Sequence, residues 1–164
     1  MNVTINAIAA SLRNALEQRF PGEPVYIDEL PQDFQRPSFT LECQKTELTD
    51  ACAGLVQRTA TLLITCFVAV DAYGDSSREA LNARQDAVMD IAGQGFLQVG
   101  DRAIRVQTGR GRGSPDCAEV QAVFSWFDGR PGYEDPETAQ TPKMEHFAIQ
   151  VTPGSDAGAD TSGR

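Results

Sequence analysis

The residues that could do chemistry in this chain are few and scattered. His146 is its only histidine. It lies near the C-terminus in a segment that reads as an exposed strand, so a solvated imidazole describes it better than a catalytic one. The four cysteines, Cys43, Cys52, Cys66 and Cys117, include no Cys-x-x-Cys pair, and no second histidine accompanies them. That spacing argues against zinc and for reduced thiols. Cys66, inside an apolar run, reads as core, and none of the four has a recognisable nucleophile setting. Carboxylates are plentiful, but abundance is not geometry. No catalytic residue, cofactor site or metal site is therefore expected.

One further motif, Gly109-Arg110-Gly111-Arg112-Gly113, superficially suggests a phosphate-cradling loop. It lacks the Lys-Ser/Thr of a P-loop, and no helical pattern follows it. What remains is charge. Arg102, Arg105, Arg110 and Arg112 share a span with no acidic residue between Asp101 and Asp116, in a chain with 23 acidic and 14 basic residues and a net charge of −9. The span reads as a loop with three uses open to it. It is simply solvated, it meets carboxylates of a neighbouring subunit through the guanidinium fork, or it touches passing DNA. The overall charge disfavours non-specific grip on nucleic acid or on an anionic membrane.

The elements that must position these residues form one ordinary globular domain. A chain of 164 residues can bury about 70% of its unfolded surface without metal or disulfide support. No apolar run reaches the ~20 residues of a membrane helix. The N-terminal residues show no secretory pattern, so the chain is expected to stay in the cytoplasm. Ile5, Ile8, Leu12, Ala15 and Leu16 recur at helical spacing, with Thr4 as cap and Pro21-Gly22 as stop. Residues 24–27 and 38–42 read as strands, the second starting after Pro37, which has no amide to give a central ladder.

Residues 43–55 read as a loop. A strand from Arg58 to Val70 is apolar on both faces and is expected to be covered on both. Ser76 and Glu79 open a second helix at capping-box spacing, with Gly93 as stop and Ala80, Leu81, Ala83, Ala87, Val88, Ile91 and Ala92 as its buried stripe. Short strands at 96–99 and 103–107 flank a Gly100-Asp101 turn. Gln107 to Ser114 reads as loop, and Cys117–Phe127 as a second central strand. Residues 128–142 are an aperiodic excursion, 147–151 alternate like an edge strand, and 152–164 have the composition of a flexible tail. The sum is an α+β domain over residues 1–151, with a mixed or antiparallel sheet of five to six strands flanked by two helices.

Between the first two strands lies Asp28 to Arg36. It is either a proline-stiffened loop or a subunit contact, and Leu30 and Phe34 favour the contact because apolar groups in a turn have no evident internal use.

The order of these pieces resembles the phage tail terminator family. The resemblance runs from a helix ending at Phe20-Pro21, through Val25-Tyr26-Ile27, the turn Leu30-Pro31-Gln32 and Arg36-Pro37-Ser38-Phe39, to the strand from Arg58. It continues through the helix from Ser76, the Phe96-Leu97-Gln98-Val99 strand and Pro142-Lys143-Met144-Glu145. It implies a non-enzymatic protein of the virion or a phage-tail-like particle, assembled in the host cytoplasm. Such a protein is a homohexameric ring that caps the tail tube, stops its polymerisation and presents a surface for head-tail joining. The implied partners are other copies of itself, the tail tube protein and a head-side connector or stopper, with a sheath protein as a further candidate. DNA would meet it only in transit. Leu30, Phe34, Arg36, Arg110 and Arg112 are the expected interface residues. A head-completion or neck adaptor on a similar fold is the alternative role.

Overall fold

The computed structural model describes residues 2–134. The expected strand at 147–151, His146, the 142–145 segment, the domain boundary at 151 and the tail lie outside the described residues.

Helix α1 spans Ile5–Arg19, and Thr4 caps it by accepting a hydrogen bond from the Ala7 amide at 3.2 Å. Strands β1 (Val25–Ile27), β2 (Ser38–Cys52) and β3 (Leu55–Phe67) follow. Helix α2 covers Arg78–Ile91, and β4 (Phe96–Val99), β5 (Arg102–Gly113) and β6 (Cys117–Gly129) complete the described chain. One six-stranded sheet runs in the order β1-β2-β3-β6-β5-β4. Only β1 and β2 pair parallel, and every other neighbour is antiparallel. The expected α+β class with a mixed sheet and two helices is what the chain forms.

Both helices lie on one face of this sheet. Ile8, Leu12 and Leu16 of α1 and Val88 of α2 pack with Phe39, Leu41, Leu62, Ile64, Ile104, Val120, Phe124 and Trp126 in one cluster. Each such side chain removed from water contributes roughly 1.5–3 kcal/mol. Alternate residues of β3 and β6, among them Thr59, Thr61 and Leu63 with Val123 and Ser125, form the other face, where they are only half-buried. The expectation that β3 is covered on both sides is thus corrected. An antiparallel sheet can leave one face wet, and here the apolar second face is diluted by threonines and serine.

Four more expectations change. Residues 43–52 are not loop but the outer half of β2, and 107–113 are not loop but the outer half of β5. Ser77, not Ser76, caps α2, accepting from the Ala80 amide. Ser76 instead forms an isolated bridge with Val70 and donates its hydroxyl to Asp116 O. The stripe of α2 shifts accordingly: Ala80 and Ala83 are exposed, and Gln85 is buried, donating from Nε2 to Glu119 O at 2.8 Å.

Candidate interaction surface

The connection from β1 to β2 is fastened by Arg36. Its guanidinium lies near the rings of Phe34 and Phe67, 5.0 and 5.1 Å from their centroids. It donates to Val68 O at 3.1 Å, to Asp116 O at 2.8 Å and to Asp116 Oδ2 at 2.9 Å. A planar fork with five donors suits this combination of stacking and bidentate bonding. Phe34 is not idle in its turn, since its ring meets that of Phe67 at 4.8 Å. Of the connection's apolar residues, Leu30 is the exposed one, at 38%.

Arg84 of α2 does the same for the turn after α1. It forms a two-pronged pair with Glu23 and lies 4.6 Å from the Phe20 ring centroid and 5.1 Å from that of Phe39. Sequence reasoning missed it, because its partners come from residues 20–39 and nothing in the helix pattern points to them.

The arginine-rich span is a strand whose members divide. Arg102 donates to Asp128 Oδ1 at 2.7 Å and to Phe127 O at 2.6 Å. Arg110 reaches back to α2, pairing with Asp86 and bonding Gln85 Oε1 at 3.2 Å. The side chains of Arg105 and Arg112 have no hydrogen-bond or ion-pair partner among the described residues. One of the glycines has a steric cause. A Cβ on Gly111 would stand 2.9 Å from Glu119 Cβ and 3.2 Å from Glu119 O, whereas at Gly113 it would meet only the mobile end of Arg78. Gly111 therefore marks close approach within a strand, not an exposed loop.

Asp128, expected in an aperiodic excursion, closes β6 with its side chain 1% exposed. Oδ2 accepts from the Trp126 indole at 2.9 Å, and Arg58 Nε lies 3.2 Å from the same oxygen. Burial works to raise its pKa. Hydrogen bonds from Arg102 and Trp126, with the charges of Arg102 and Arg58, outweigh that and hold the carboxyl below its ordinary value. The signal was present in sequence: Val120, Ala122, Phe124, Trp126 and Asp128 continue one alternation. It was missed because a carboxylate at an inward position reads as the end of a strand. This group ties β3, β5 and β6 together.

Among the described residues no group of three or more His, Cys, Asp or Glu is placed to hold a metal, and no helix is long and apolar enough to cross a membrane. Among the exposed apolar side chains, Leu48 (54% exposed) in β2, Leu55 in β3 and Phe127 (52%) in β6 lie at the β2–β3 hairpin end of the sheet, whereas Tyr73, at 91%, and Val70 follow β3 at the other end. The family model described as phage tail terminator protein matches residues 6–111. This match takes in both helices and most of the sheet, and the chain belongs to the phage tail terminator family. It is a structural protein of a phage tail and so a component of the virion. No curated protein matches it.

Proposed function

We propose that this protein assembles as a hexameric ring on the last layer of the tail tube, ends tube polymerisation and presents a surface for head-tail joining, without catalysing a reaction. The family match over residues 6–111 carries this reading. One ring face repeats the contact that a further tube layer would make, and the other lacks the complement that the next layer requires. The partners are then other copies of the chain, the tube protein and a head-side connector or stopper. A sheath protein joins them where the tail contracts, and DNA passes only through the lumen. Leu30, Phe34 and the arginines at 36, 110 and 112 belong to the contact regions. Leu30 and Arg112 are directly available, while Phe34, Arg36 and Arg110 act by holding the surface in shape.

Deletion of the gene tests the reading. Overlong tubes or headless tails, with the tube protein unaffected, are the expected result. Tails of normal length joined normally to heads would overturn it. A particle map that puts the protein on the head side of the neck would favour the adaptor role.

A further inference from the structure

Among the described residues, the sheet has two unpaired edges at diagonally opposite corners. Strand β1 covers β2 only along Phe39–Leu41, leaving residues 44–52 with β3 on one side and no strand on the other. Strand β4 covers β5 only along Arg102–Arg105, leaving residues 107–113 bordered by β6 alone. No described strand lies beside either length, and a row of unpaired N–H and C=O groups is a template for another chain.

The outward groups can be assigned. Phe39 N–H donates to Pro24 O and Leu41 O accepts from Asp28 N–H, so these residues face β1. Gln44 has no partner in β3, and beyond it the alternation resets so that Thr46 and Leu48 point their backbone groups away from β3. On β5, Val106 N–H donates to Gly95 O, so Thr108 and Arg110 carry the outward groups. The charges differ too. Residues 44–52 carry Glu47 and Asp50 against Lys45, whereas residues 107–113 carry Arg110 and Arg112 with no acid. Within the protomer Glu47 pairs with Lys45, Asp50 with Arg130 and Arg110 with Asp86, which leaves Arg112 as the free cation of the β5 edge among the described residues. In a chain of net charge −9, that basic strand is the natural seat for an acidic one.

We propose that the occupant of each edge is the next copy of this chain, with the free edge of β2 from one protomer laid against the free edge of β5 from its neighbour. This rests on the ring reading and specifies its junction. The two edges are different surfaces, so the contact is head-to-tail, the type that forms a ring when its rotation closes, whereas β2 against β2 would stop at a dimer.

Proline tests it, because at Thr46 or Thr108 it removes an outward donor and leaves the inner ladders their own. Full-length wild type, Thr46→Pro, Thr108→Pro and an equimolar mixture of the two variants are compared by native mass spectrometry at high protein concentration, with thermal melts alongside. The expected result is a hexameric wild type, two monomeric variants and a mixture limited to 1:1 dimers, because only one intact junction can form. Hexamers from both variants, or a Thr108→Pro homodimer, would overturn the proposal. A wild type that stays monomeric there and on isolated tubes would instead overturn the ring reading. If either proline variant melts early, charge exchange replaces it. Glu47→Lys and Arg112→Glu should each weaken assembly about tenfold or more and restore it when combined in one chain, and absence of that rescue would overturn the proposal.

Discussion

Trp126 donates its indole N–H to the carboxylate of Asp128, two residues further along the same strand, at 2.9 Å. The bond consumes the single polar handle of the one tryptophan and orients the oxygen that Arg58 approaches. Replacing Asp128 with Asn would keep the shape and strand two arginines beside a neutral amide. Breaking one side of a buried charge cluster costs about 3 kcal/mol when the survivors retain some access to water. Denaturant unfolding at pH 7 should show that loss.

The same residue gives a pH dependence. Its folded pKa is depressed, so its stabilisation is fully present above the unfolded carboxyl value of about 3.9 and disappears as the pH falls through the folded value. The stability gap between wild type and Asp128→Asn should be flat near neutrality and should narrow below about pH 4. A gap constant down to pH 2.5 would refute the assignment.

Arg36 should tolerate no substitute. Lysine keeps the charge but loses the fork and the stacking, so Arg36→Lys and Arg36→Ala should both destabilise the fold, by roughly 1–3 kcal/mol. Chemical denaturation midpoints measure this. Full stability in the lysine variant would mean that charge alone suffices.

The two arginines of the β5 arm should separate. Arg110 and Asp86 are both well exposed, so Arg110→Glu should lower stability by only about 1 kcal/mol or less. Arg112→Glu should leave the melt unchanged while weakening sedimentation with tail tubes, most strongly at low salt. Unchanged binding at every salt concentration would leave Arg112 as a solvated side chain.

Thiol reactivity should rank with burial. Cys66 is fully buried, and burial pushes its thiol up to about 12, with Arg84 offsetting part of the rise. Cys52 is exposed at the end of β2. At pH 8 a thiol reagent should label Cys52 first and Cys66 only on unfolding.

Legibility in the sequence followed burial. Helix α1, the central strands and the Gly100-Asp101 turn announced themselves because each buries one periodic face or needs a special backbone angle, with Gly100 at φ +61°. The arms did not. Every residue from Gln44 to Cys52 is exposed, so no apolar alternation marks a strand there, and only Thr46 and Thr49 hint at one. Glycines disguised β5 for the opposite reason: Gly111 is small because Glu119 crowds it, yet small residues in a row read as a turn. Arg36 and Phe34 were singled out for the right segment, but their partners Phe67 and Asp116 lie far along the chain, beyond any local pattern.

Gln44 has a consequence of another kind. Cys43 faces Leu62 and Lys45 faces Thr61, so excising Gln44 would leave every cross-strand pair with its present neighbour and alter only the local bend. Strand bend and strand pairing are thus separately adjustable in this chain. In the ring proposed above, a single-codon deletion would change the angle between successive subunits without changing which residues meet, and ring diameter would become a quantity that evolution, or an experimenter, can tune one residue at a time.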